Sequence, residues 1–107
     1  MGANRLLIVD DEPEVRAFLA GVGRDLGFDV KDFGDANQLT GVVRNYSPTV
    51  IILDLQMPQH DGIEVLRSLS DARSSAKVFL TSGLEEQVLT TAEQLGMAMG
   101  EIGRAHV

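Results

Sequence analysis

The sequence predicts an α/β domain, a parallel sheet with helices on both of its faces. Three observations predict it. Short apolar runs stand at 6–9, 49–53 and 77–81. Between the candidate strands lie stretches whose apolar residues recur at helical spacing. The connections are about 2–6 residues long, as in βα and αβ units. A parallel pair of strands needs a long crossover, and that crossover lays a helix on a face of the sheet.

The elements follow in order. LLIV (6–9) reads as a strand and DDEP as the loop after it. Asp11 or Glu12 can cap a helix whose first turn holds Pro13. Val15, Phe18, Leu19, Val22 and Leu26 continue at helical spacing, and Gly27 stops the helix. DVKDF (29–33) alternates as a half-buried strand does and is closed by Gly34. Leu39, Val42, Val43 and Tyr46 mark a second helix, ended before Ser47-Pro48. TVIIL (49–53) is continuous and β-branched, as a strand buried on both faces should be. Ile63, Leu66 and Leu69 mark a third helix, and KVFLT (77–81) a fourth strand. Val88, Ala92 and Leu95 mark a fourth helix that can run to Met99.

Composition narrows the function. The chain has 107 residues, enough for one domain, and 44% of them are hydrophobic, enough to fill a core. No apolar run approaches the roughly 18 residues of a membrane span. The start, MGANRLLIVDDE, turns acidic too early for a signal peptide, so a cytoplasmic protein is expected. The chain has no cysteine, which removes disulfides, thiolate metal sites and cysteine nucleophiles. Sixteen acidic residues against nine basic give a net charge of −7, which disfavours direct contact with nucleic acid or anionic membranes.

The chemistry gathers at the strand ends. In open parallel sheets, sites form beyond the carboxyl ends of the strands. The first strand ends in Asp10-Asp11, the third in Asp54 and the fourth in Thr81-Ser82. Carboxylates about 4 Å apart repel by about 4 kcal/mol at an effective dielectric of about 20. Either a pKa rises or a cation binds. Oxygen donors without His or Cys select Mg²⁺, which also suits a phosphate group. The central carboxylate can then act as a nucleophile and form an aspartyl phosphate.

These residues also match a family. LLIVDDEP, VIILDLQMPQHDG and VFLTSG together resemble the receiver domain of two-component response regulators, over residues 5 to about 96. The resemblance implies a flavodoxin-like sheet of order 2-1-3-4-5. It implies a switch phosphorylated on Asp54 by a sensor histidine kinase or phosphotransfer protein, and acting on an output domain or partner outside this chain. Its only catalysis would be its own phosphorylation and dephosphorylation. It further implies that Asp10, Asp11, Asp54 and the backbone carbonyl of Gln56 hold Mg²⁺, and that Thr81 is the hydroxyl that moves toward the phosphoryl group. Met57 and Pro58 would shape the following loop, with Gly62 at its turn.

The chain departs from the family at its end. Receivers carry a lysine at the end of a fifth strand, and the only lysines here are Lys31 and Lys77. Neither can reach that place. The tail GEIGRAHV offers Gly103 or Ala105 in the lysine's register, with Arg104 beside them, and it lacks a final helix. The expected division is a receiver over 1–100 and an atypical or truncated tail over 101–107. An uncovered fourth strand would then favour self-association, with a homodimer the simplest form.

Each feature also has a plain reading. Taken alone, Asp10-Asp11 is a cap and a turn, Asp54 caps a turn, and Thr81 is a hydroxyl bonded to backbone. Asp61 is a local loop residue, and His60 and His106 are exposed. The constellation outweighs these readings, because three separated segments supply compatible groups to one rim. The competing function is a degenerate receiver, without the lysine, that serves only as a protein-interaction module.

Overall fold

A computed structural model describes residues 4–35, 37, 39–54, 67, 76–81 and 85–105. Its elements are β1 (Arg5–Val9), α1 (Pro13–Asp25), β2 (Asp29–Phe33), α2 (Leu39–Tyr46), β3 (Val50–Asp54), β4 (Lys77–Thr81) and α3 (Glu85–Ala105). The strands form a parallel sheet in the order β2-β1-β3-β4, the order expected for its first four members. Of the expected helix marked by Ile63, Leu66 and Leu69, Arg67 is helical, and the three marker residues lie outside the described residues.

The two central strands are buried on both faces, which is why their sequences do not alternate. Leu6, Leu7, Ile8, Ile51, Ile52 and Leu53 have no exposed surface. Leu6, Ile8, Val50 and Ile52 pack on one face with Leu19 and Ala20 of α1 and Val88 and Leu95 of α3. Leu7, Val9, Ile51 and Leu53 pack on the other with Leu39 and Val43 of α2. β2 lies at the edge of the sheet, and its burial does not alternate as the sequence predicts: Asp29, Lys31 and Asp32 are exposed, and only Val30 and Phe33 are partly buried. Its Val30 joins the first cluster and its Phe33 the second.

Both ends of α1 have local causes. Pro13 opens it, where a missing N–H costs nothing. The sequence offered Asp11 or Glu12 as a side-chain cap. Glu12 holds the N-cap position but makes no side-chain cap bond. Its N–H instead donates to Oδ1 of Asp10 at 2.8 Å, so the loop is turned by the acid two residues earlier. At the other end Gly27 has φ +96°. The N–H of Gly27 donates to the Arg24 carbonyl at 3.0 Å and that of Phe28 to the Gly23 carbonyl at 2.9 Å, a Schellman closure.

Two glycines inside α1 should respond oppositely to alanine. A Cβ on Gly23 would lie 2.5 Å from Cδ2 of Leu6 and 3.1 Å from Cγ2 of Val30, so the missing side chain lets α1 approach the sheet. One on Gly21 meets nothing within 4 Å. Gly21→Ala should stabilise the fold by about 0.5–1 kcal/mol. Gly23→Ala gains a similar helical preference but overpacks the contact by about 1–3 kcal/mol, leaving a net loss. Urea unfolding of both variants checks this, and a Gly23→Ala protein more stable than wild type would contradict the close contact.

The C-terminal segment differs from expectation. The fourth predicted helix, α3, runs to Ala105 and does not stop near Met99. Gly103 and Ala105, where a strand register would seat a lysine, are helical. The glycines at 100 and 103 cost the helix about 1 kcal/mol each relative to alanine. Good helix formers such as Glu101, Arg104 and Ala105 stand around them. Among the α3 residues whose burial is described, 88–98, the buried ones are Val88, Thr91, Leu95 and Ala98, one stripe facing α1 and the sheet.

Candidate functional site

The alternation that builds the core also places the acids. Along β1 the row Leu6–Ile8 continues to Asp10, and along β3 the row Val50–Ile52 continues to Asp54. The two acids each stand one residue beyond the paired Val9 and Leu53. On β4 the row passes from Phe79 to Thr81, which is registered directly against Asp54. Asp10, Asp54 and Thr81 therefore fall on the α1 and α3 face of the sheet, at its carboxyl end. They are 0%, 3% and 1% exposed.

Asp11 joins them from the loop and is not buried. One carboxylate oxygen from each of Asp10, Asp11 and Asp54 lies within 4.8 Å of the other two. Burial raises the Asp10 carboxyl from 3.8 to about 6; the Glu12 N–H bond opposes the shift, and the charges of Asp54, Glu12 and Asp11 add to it. One of its oxygens is provided for, since Oδ1 accepts the Glu12 N–H. The other, Oδ2, is buried with no hydrogen-bond partner among the described residues. A buried orphan oxygen beside two further carboxylates fits a hard divalent cation, which takes oxygen donors and offsets their repulsion.

The main chain of Asp10 is held at both ends. Its N–H donates to the Phe33 carbonyl at 3.1 Å, extending the β1–β2 ladder by one step. Its carbonyl accepts from Nη1 of Arg16 at 2.8 Å. The sequence did not mark Arg16. The only signal was a cation in the first turns of the helix that follows the acidic pair.

The remaining candidates are placed as follows. The Gln56 carbonyl, Met57, Pro58, Asp61 and Gly62 lie outside the described residues. Lys31, midway along the edge strand β2, pairs with Leu7, its Nζ 4.8 Å from the centre of the Tyr46 ring. Lys77 pairs with Val50, at the end of β4 opposite to Thr81, with its Nζ 5.6 Å from the centre of the Phe79 ring. Neither stands at the Asp54 end of the sheet, as the sequence reading held. Arg104 belongs to the last turn of α3.

The response regulator receiver domain family matches residues 6–99. The chain belongs to that family. Over 78 residues this receiver is 38% identical to the DNA-binding response regulator MtrA of Mycolicibacterium smegmatis, covering 73% of this chain and 34% of that protein. It is 29% identical over 93 residues to the transcriptional regulatory protein PdtaR of Mycobacterium tuberculosis, covering 86% of this chain and 45% of that one. The receiver thus spans between a third and a half of the length of these curated relatives. Among solved structures it resembles the signal receiver domain of a response regulator from Bermanella marisrubri, with a TM-score of 0.68, 28% identity and coverage of 89% of this chain and 81% of that one. It also resembles a response regulator from Colwellia psychrerythraea, with a TM-score of 0.64, 35% identity and coverage of 92% and 78%. Among the described residues, no helix of this receiver is long and apolar enough to cross a membrane.

Proposed function

We propose that this receiver is a phosphorylation-controlled switch whose phosphoacceptor is Asp54. The observation that supports the reading best is the buried Asp54, clustered with Asp10 and Asp11 and in strand register with Thr81. A sensor histidine kinase or phosphotransfer protein is the donor. A carboxylate oxygen of Asp54 forms the new O–P bond as the donor's N–P bond breaks, and the imidazole leaves with the electron pair. Asp10, Asp11, Asp54 and the Gln56 carbonyl would hold Mg²⁺, which when bound supplies positive charge beside the phosphoryl oxygens. The Asp54 carboxylate is presented at the end of a fixed strand, so little orientation is lost on attack. Thr81 donates its hydroxyl to a phosphoryl oxygen. The added charge, about −1.5 to −2 at neutral pH, is what the partner reads.

The test is phosphate incorporation from acetyl phosphate with Mg²⁺, comparing wild type with Asp54→Asn. Wild type should be labelled and the variant should fall to background. Equal labelling of the two would place the acceptor elsewhere. A second reading, an interaction module that no longer switches, is favoured by one observation: both lysines lie away from the Asp54 end of the sheet. It predicts no labelling of either protein.

A further inference from the structure

We propose that Arg16 is a positioning residue of the acidic pocket. It acts through the peptide that joins Asp10 to Asp11, and the proposal rests on the reading that this pocket takes Mg²⁺. That peptide lies beyond the end of β1, where the regular strand pairing has stopped. Its carbonyl is taken by Nη1 of Arg16 at 2.8 Å. Arg16 stands one turn into α1, so the reach is fixed by a helix that is itself anchored on the sheet.

The guanidinium has a second support. A Cβ on Gly34 would lie 2.9 Å from Nη1, 3.6 Å from Cζ and 3.9 Å from Nη2 of Arg16. The head group therefore lies against the Gly34 backbone and fills the space a side chain would need. Arg16 thus spans from the end of β1 to the residue that follows β2, alongside the main-chain bond from the Asp10 N–H to the Phe33 carbonyl. With the Asp10 N–H, C=O and Oδ1 all held, Oδ2 has one direction left to point. The same clamped peptide carries Asp11 on its far side. One side chain outside the carboxylate cluster so orients two of its three acids. Groups that support metal ligands in this way typically change affinity by about 10–100-fold when removed.

A Mg²⁺ titration followed by amide shifts, with melting temperatures measured without Mg²⁺, tests this. Arg16→Met keeps the stem and removes the donors. It should raise the Mg²⁺ dissociation constant by about tenfold or more. Arg16→Lys keeps the charge as a point on a flexible stem and should not restore wild-type affinity. Gly34→Ala should displace the guanidinium and weaken Mg²⁺ by a similar factor. The double variant Gly34→Ala/Arg16→Met should then lose little beyond Arg16→Met alone, because both changes break one device. A merely structural role would lower the melting temperatures and leave the dissociation constants within about twofold of wild type, the scatter of independent effects. That result overturns the proposal and leaves the Mg²⁺ site standing. So does full rescue by Arg16→Lys, which would mean that charge alone matters. A wild-type protein that shows no Mg²⁺ response overturns both the site and the clamp.

Discussion

Asp10→Asn should stabilise the metal-free protein at about pH 7.5 by roughly 2–3 kcal/mol. The folded protein holds a proton on Asp10 up to about pH 6, against 3.8 for an ordinary aspartate. Each pKa unit is worth about 1.4 kcal/mol. Because the folded value is the higher one, this stabilising term is fully present below pH 3.8 and is lost as pH rises to about 6. Above that window the wild type must keep a charge where burial and three acidic neighbours oppose it. Asparagine has no such charge, yet its amide oxygen can still accept the Glu12 N–H. Wild type and variant should converge at about pH 4. Mg²⁺ should raise the melting temperature of wild type, because binding the folded state stabilises it, and raise that of the variant much less. Denaturant unfolding at both pH values, with and without Mg²⁺, gives the comparison. A variant less stable than wild type at about pH 7.5 without metal would mean that the Asp10 charge is already compensated.

Leu95→Ala should cost about 2–5 kcal/mol, a large share of the roughly 5–15 kcal/mol that holds a domain of this size together. Leu95 has no exposed surface and packs in the cluster of Leu19, Ile8 and Ile52. α3 carries glycines at 96, 100 and 103, each costing about 1 kcal/mol of helix preference relative to alanine, so its docked face helps to hold it. The loss should therefore appear in the helical circular dichroism as well as in the unfolding midpoint. Met97, two residues on, is 64% exposed, and Met97→Ala should change stability by about 0.5 kcal/mol or less. Equal effects from the two variants would mean that α3 presents a different face.

The strands were legible because their signal is continuous. DVKDF and KVFLT coincide with β2 and β4, β1 begins one residue before LLIV, and β3 lies one residue further along than TVIIL. Gly27 marked the end of α1 because the closing turn needs a positive φ. The convergence of Asp10, Asp11 and Asp54 followed from strand ends alone, since a parallel sheet brings those ends to one side. The Arg16 clamp left no such trace. A bond from a side chain to a main-chain carbonyl depends on where one peptide plane points, and neither spacing nor hydropathy records that. The loop before α1 misled for a similar reason. Asp11 and Glu12 occupy the expected capping positions, while the carboxylate that meets the Glu12 N–H belongs to Asp10. The sequence reading takes α3 only as far as Met99, whereas a glycine such as Gly100 ends a helix only when the chain beyond it turns away, and α3 runs on to Ala105.

Asp10, Asp54 and Thr81 each follow by two residues a core residue of the same face, namely Ile8, Ile52 and Phe79. Site and core therefore share one reading frame. Inserting or deleting a single residue within β1, β3 or β4 reverses which side chains face α1 and α3 beyond that point. The same slip would send the strand's terminal acid or hydroxyl to the α2 side and turn part of its apolar row with it. The chemistry at these positions can drift by substitution while the core stays intact. It cannot drift by length, because the first misplaced functional group arrives together with a misfolded strand.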